Sequence, residues 1–226
     1  MGKSKMTEIL AVCRHIDRDF PSGSDGRFVV LNDVGCEIRA RDRIALSGPS
    51  GSGKTTLLHI LGGLDRPTNG KIEWPSLGSI EQLRPRRIGF VFQSPSLFPA
   101  LTAAQNVGLP AVLAGEDPSF DGKEAHTLLT RFGLGELADK LPEELSGGQA
   151  QRVAMVRALA LRPPLILADE PTGQLDATTA QRLMDTVLQH IEGTPAALVI
   201  ATHDRAVAAR MSTHWTIEHG RLATPR

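Results

Sequence analysis

Ile44-Ala45-Leu46-Ser47-Gly48-Pro49-Ser50-Gly51-Ser52-Gly53-Lys54-Thr55-Thr56 is the stretch on which the reading of this chain turns. Three apolar residues run into a Gly/Ser-rich loop that fits G-x-x-x-x-G-K-[ST], and Lys54 to Leu64 then reads as a helix. A strand, a glycine loop and a helix in that order is the setting in which such a loop holds phosphate. The glycines let backbone N–H groups turn inward around an anion, and the helix directs its positive end at the same place. Gly48, Pro49, Ser50, Gly51, Ser52, Gly53, Lys54, Thr55 and Thr56 are therefore candidate nucleotide-phosphate ligands. Lys54 supplies a point charge at the β- and γ-phosphates, and the Thr55 hydroxyl is a ligand for Mg2+. A plain flexible linker would explain the glycines but not the strand before them and the helix after.

Outward from this loop, the other short apolar runs repeat the same alternation. Ile88-Gly89-Phe90-Val91-Phe92 follows the basic turn Arg84-Pro85-Arg86-Arg87, Leu165-Ile166-Leu167-Ala168 follows Pro163-Pro164, and Leu198-Val199-Ile200 precedes Thr202-His203-Asp204. Continuously apolar strands are expected where helices cover both faces of a parallel sheet. Helical patterns lie between them at Gly147–Leu161 and Ala177–Ile191, so the fold class is α/β with a mainly parallel sheet. The stretch from Thr7 to Ile44 reads as antiparallel strands beside that sheet. Ser94 to Glu144, with two amphipathic pieces, reads as a small helical insertion.

Leu165-Ile166-Leu167-Ala168-Asp169-Glu170 ends an apolar strand in two carboxylates. At the carboxyl edge of a parallel sheet, Asp169 can hold a metal ion and Glu170 can act as general base on a water. No N-K-x-D or D-x-x-G motif occurs, which argues against a guanine-nucleotide switch. Composition excludes more. Lys+Arg and Asp+Glu both number 25, so the chain is formally neutral, unlike a dedicated nucleic-acid binder. Two cysteines, Cys13 and Cys36, read as reduced thiols. No apolar run has the length of a membrane span, and the basic start Met1–Met6 lacks the apolar region of a signal peptide. Any membrane role then runs through a partner.

Leu145-Ser146-Gly147-Gly148-Gln149, continued by Ala150-Gln151-Arg152-Val153-Ala154, resembles the signature sequence of the ABC ATPases. Physically, Ser146 caps a helix whose N-terminus and glycine N–H groups make a second anion site. One chain with two phosphate-grasping surfaces and one phosphate loop suggests that each ATP lies between opposite subunits. The resemblance extends from about Thr7 to Ala223. It implies a P-loop nucleotide hydrolase with a RecA-like core at 7–93 plus 163–223, a helical subdomain at 94–162, and tails at 1–6 and 224–226. It also implies ATP and Mg2+ as ligands. Gln93 takes the place of the glutamine that contacts Mg2+ or the lytic water. Asp176, in Gly173-Gln174-Leu175-Asp176, takes the place of a residue that crosses the dimer interface, and His203 that of the histidine contacting the γ-phosphate. Lys54, Thr55, Gln93, Asp169, Glu170 and His203 would act in cis, and Ser146, Gly147, Gly148, Gln149 and Asp176 toward the partner's nucleotide. Phe20 would stack on adenine, although the family normally places Tyr there and this chain has none.

Gly63-Leu64-Asp65-Arg66-Pro67-Thr68-Asn69-Gly70, Gly89-Phe90-Val91-Phe92-Gln93 and Ala168-Asp169-Glu170-Pro171-Thr172-Gly173 look most like one branch of that family. It holds the lipoprotein-release, macrolide-export and FtsE-like cell-division ATPases. Such members work on an integral membrane permease at the cytoplasmic face of the membrane, as a dimer with a second copy or a paralogue, without nucleic acid. Leu97, Phe98 and Pro99 are candidates for the groove that meets the permease, or for packing inside the insertion. Three departures stand out: Gln174 where the branch has Asn, Arg41-Asp42 for Gly-Glu, and a shortened segment between Gly70 and Arg87. Two other readings stay open, a soluble ABC ATPase and a regulatory one that signals through a membrane partner without transport.

Overall fold

A computed structural model describes residues 8–22, 26–115 and 123–223. Residues 1–7, 23–25, 116–122 and 224–226, which include the expected tails and part of the expected helical insertion, lie outside the described residues. Two long strands, β1 (Ile9–Ser22) and β2 (Gly26–Arg39), form an antiparallel hairpin, and β4 (Asn69–Glu73) adds to the other edge of β1 in the order β2-β1-β4. The main sheet has the order β5-β6-β7-β3-β8-β9, built from β3 (Arg43–Ser47), β5 (Ile88–Val91), β6 (Leu165–Asp169), β7 (Ala197–Ala201), β8 (Thr213–Glu218) and β9 (Arg221–Ala223). All its pairings are parallel except β8 with β9. The expected α/β class with an antiparallel flank is what forms.

Every residue of β6 and β7 is buried. Side chains of a strand alternate between faces, and the two cores divide accordingly. Ala45, Val91, Ile166, Ala168, Leu198 and Ile200 join one core with the helical insertion. Ile44, Leu46, Ile88, Leu165, Leu167 and Val199 join the other with α1 (Lys54–Leu61) and the hairpin. Continuous apolarity in the sequence is therefore the trace of a sheet covered twice.

Helix α1 ends at Leu61, three residues before the apolar pattern does, because the chain turns at Gly62-Gly63 with Gly63 at φ 64°. The described part of the insertion holds helices α2 (Ala103–Leu113) and α3 (Lys123–Arg131), followed by two single 3-10 turns at Gly135–Leu137 and Pro142–Glu144. Helix α4 (Gly147–Leu159) carries the chain back to β6 through Pro163-Pro164, and α5 (Ala177–Ile191) and the short α6 (Arg205–Ala208) complete the helical layers. Strands β4, β8 and β9 went unread in the sequence, where Asn69-Gly70-Lys71-Ile72-Glu73 and Thr213-His214-Trp215-Thr216 interrupt their apolar residues with polar ones.

Candidate active site

Strand β3 sits between β7 and β8, and its carboxyl end runs straight into the glycine loop. Two glycines there are forced by close approach. Gly48 has φ 145°, and a Cβ on it would stand 2.2 Å from the Ile217 carbonyl oxygen. Gly53 has φ 107°, with the Leu31 side chain and the Val30 carbonyl oxygen 2.7 and 2.9 Å from a Cβ's place. Helix α1 begins at Gly53 with no side-chain cap, so its first N–H groups are left for an anion. Lys54 Nζ donates to the carbonyl oxygens of Gly48 and Pro49 at 2.9 and 3.0 Å, folded over the cradle it would share with a phosphate. Ser52 Oγ is buried without a partner.

The neighbouring strands β6 and β7 deliver the acids and the histidine to the same edge. Thr55 Oγ1 donates to Asp169 Oδ2 at 2.7 Å, joining the loop to the end of β6. Asp169 is 2% exposed. Burial pushes its carboxyl above the usual range, opposed by the Thr55 hydrogen bond and reinforced by the Glu170 charge. Glu170 has φ 46°, a left-handed conformation that costs a non-glycine residue on the order of 1–3 kcal/mol and is typical of functional turns. Its backbone N–H donates to the Ala201 carbonyl oxygen at 2.9 Å, which fixes the turn against β7. His203 Nδ1 stands at ion-pair distance, 2.9 Å, from Glu170 Oε2, and this buried oxygen accepts no hydrogen bond. A carboxylate oxygen with no donor, close to an imidazole that is mostly in solvent, is placed to take a proton from a water.

Gln93 follows β5 and is exposed. What holds its segment in place went unread in the sequence. Gln151, fully buried on α4, donates from Nε2 to the Phe92 carbonyl oxygen at 3.1 Å. Arg157, on the same helix, donates to the Ser96 carbonyl oxygen and hydroxyl at 2.7 and 2.9 Å. Asn106 clips Phe98 from both sides, accepting from its N–H at 2.8 Å and donating to its carbonyl oxygen at 3.1 Å. Of the candidate groove residues, Leu97 packs against the core while Phe98 is 54% exposed. A polar residue at the buried positions of α4 was the available signal for Gln151.

Ser146 caps α4 as expected. Its Oγ accepts from the Gln149 N–H at 3.2 Å, and Gln149 Oε1 accepts from the Ser146 N–H at 2.8 Å. Gln174 and Leu175 lie against the glycines of this cap: a Cβ at Gly147 would meet Gln174 Oε1 at 2.5 Å, and one at Gly148 would meet Leu175 Cδ2 at 2.8 Å and the Gln174 carbonyl oxygen at 3.2 Å. Asp176 caps α5, accepting from the Thr179 N–H at 3.0 Å and the Thr179 hydroxyl at 2.6 Å. These hydrogen bonds hold its carboxyl below the usual range. Ser146, Gly148, Gln174 and Asp176 line a shallow cleft of about 480 Å³ that includes no residue of the phosphate loop. Phe20, on β1, faces its neighbour Phe28 across the hairpin and carries the Arg18 guanidinium 4.1 Å from its ring centre.

The family model described as ABC transporter matches residues 31–173, from β2 through the phosphate loop, the α4 cap and the carboxylate pair. The chain belongs to the ABC transporter family. The lipoprotein-releasing system ATP-binding protein LolD of Legionella pneumophila (strain Paris) is 41% identical to this ABC cassette over 224 residues, 96% of the chain and 98% of that protein. The macrolide export ATP-binding/permease protein MacB of Salmonella choleraesuis (strain SC-B67) is 40% identical over 224 residues, which span 34% of that longer protein. Among solved structures, the dimeric post-hydrolysis state of the ATP-binding cassette MJ0796 bound to ADP and Pi superposes with a TM-score of 0.87 at 33% identity, covering 96% of this chain and 99% of that one. The cassette is thus an ATP-binding and ATP-hydrolysing subunit of the LolD and MacB type, and these relatives favour the transporter reading over the soluble and signalling ones. No helix among the described residues is long and apolar enough to cross a membrane.

Proposed function

We propose that two copies of this cassette, or one copy and a paralogue, close head to tail around two ATP molecules. In doing so they drive an integral membrane permease that releases or exports amphiphilic cargo from the membrane. The observation that carries this reading is the separation, within one chain, of two phosphate-grasping surfaces: the phosphate loop with its uncapped α1, and the capped glycine start of α4. Each completes the other only across a dimer. The cargo class rests on the near full-length likeness to lipoprotein-releasing LolD. The cassette would sit at the cytoplasmic face of the membrane, held by the permease.

Each residue's part follows from its place. Lys54 leaves the Gly48 and Pro49 carbonyls for the β- and γ-phosphates. Thr55 and Asp169, already 2.7 Å apart, are hard oxygen donors that suit Mg2+, and Gln93 adds an amide oxygen. Mg2+, when bound, neutralises phosphate charge during transfer. Glu170 takes the proton of the attacking water through its donorless Oε2, and His203 orients that water and the γ-phosphate. Ser146, Gly147, Gly148, Gln149 and Asp176 meet the partner's ATP. Phe20 offers adenine a ring face, with Arg18 on the other side or displaced. Residues 94–162 move as a helical unit against the core at 7–93 and 163–223, and Phe98, presented by Asn106, carries that motion to a permease helix.

The test is a pull-down of tagged Glu170→Gln chain from gently solubilised native membranes with MgATP present. A co-purifying polytopic protein with a large extracytoplasmic domain is the expected result. A soluble partner alone, with the chain absent from the membrane fraction, overturns the proposal.

A further inference from the structure

One deep cleft on the described surface does not lie at the nucleotide edge. It opens at the amino-terminal edge of the main sheet, beneath the starts of β6 and β7, and encloses about 500 Å³, within the range of small-molecule sites. Its floor is apolar, with Leu10, Leu77, Leu159 and Ile166. Its rim gathers Arg87, Arg131, Arg162 and His190 against a single carboxylate among the described residues, Glu8. These cations come from four separate places: the basic turn before β5, the end of α3, the link between α4 and β6, and the end of α5.

Neither the Arg87 nor the Arg162 guanidinium has an ion-pair partner among the described residues. Arg131 Nη1 lies 3.3 Å from His190 Nδ1, which makes the ring nitrogen the acceptor and leaves Nε2–H as a donor. Burial, then the Arg131 and Arg162 charges, pull the His190 imidazole below its ordinary range. Arg131, Arg162 and His190 also line an adjoining cleft of about 500 Å³, where Glu124 is the one acid among the described residues. Like charges drawn together over an apolar floor leave a strong demand for an anion. Three guanidinium forks and one imidazole N–H match a group with three acceptor oxygens and a charge near −2.

We propose that this cleft is a binding site for a phosphomonoester of a small apolar alcohol, its phosphate among Arg87, Arg131, Arg162 and His190 and its apolar body on Leu10, Leu77 and Leu159. The site is separate from the nucleotide site and lies on the opposite edge of the same sheet. It spans the joint between the helical insertion, through Arg131 and Leu159, and the core, through Ile166 and His190.

The experiment uses the full chain saturated with MgADP, so that the phosphate loop is occupied. Phenyl phosphate is titrated in while the His190 imidazole is followed by NMR, its signals assigned through His190→Gln. The expected result is a saturable shift, with the midpoint of the His190 titration rising by about one pH unit as the dianion offsets Arg131 and Arg162. Inorganic phosphate and benzyl alcohol should each bind at least about tenfold more weakly, and Arg131→Gln with Arg162→Gln should weaken phenyl phosphate by about tenfold or more. Both arginines are exposed, so the double variant should keep the fold, which its circular dichroism and melting check. The proposal is overturned by no saturable shift, by equal binding of inorganic phosphate or benzyl alcohol, or by unchanged binding to the folded double variant.

Discussion

Glu170 combines a strained backbone with a buried carboxylate oxygen that accepts no hydrogen bond, and that combination makes its substitution informative. Glu170→Gln keeps the shape and removes the base, so ATP hydrolysis should fall by at least about 100-fold while ATP binding persists. Steady-state hydrolysis beside nucleotide titration checks both, and a wild-type rate would remove Glu170 from the role of base. Lys54→Ala loses charge-assisted hydrogen bonds to phosphate, and affinity for ATP should drop by about tenfold or more. Fluorescent-nucleotide titration reads this directly. Phe20→Ala should weaken ATP by roughly tenfold if its ring stacks the base. Unchanged affinity would assign the stacking to another group, with Phe28, 60% exposed beside it, the next to substitute.

At the scale of elements, α4 does two jobs. Its first turn is the capped glycine surface, and its middle holds the Gln93 segment through Gln151 and Arg157. Gln151 Oε1 has no partner, so only half of this buried amide is satisfied. Gln151→Ala should cost about 1–3 kcal/mol, since it strands the Phe92 carbonyl and opens a hole. Gln151→Met keeps the volume and removes the orphaned oxygen, and should cost less. Urea unfolding of the two variants decides: an equal loss would assign the whole cost to the amide, and an unchanged stability of Gln151→Met would deny the amide its part. This is also where the sequence stopped being legible. The doubly covered strands β6 and β7 announce themselves through unbroken apolarity, and the phosphate loop, Asp169-Glu170 and the Ser146 cap are contiguous motifs. Gln151 reaches Phe92 across 59 positions, and β4 pairs with β1 through backbone hydrogen bonds that demand no apolar residues. Contacts of that kind leave no local pattern to read.

For the whole molecule, the prediction concerns assembly. The Glu170→Gln chain with MgATP should elute as a dimer in size-exclusion chromatography, and Ser146→Ala in the same background should shift it toward monomer. The serine change also removes a helix cap worth about 1 kcal/mol, so melting of the nucleotide-free monomer separates lost capping from lost association. The distance in sequence and space between the glycine loop and the α4 cap has a genetic meaning too. In the proposed dimer no chain owns a whole site; each owns two halves of different ones. A copy impaired at Lys54 or Ser146 therefore spoils the intact copy it meets. When the two are made together, fully competent assemblies should fall with the square of the intact fraction, so a single damaged allele would act dominantly over a working one.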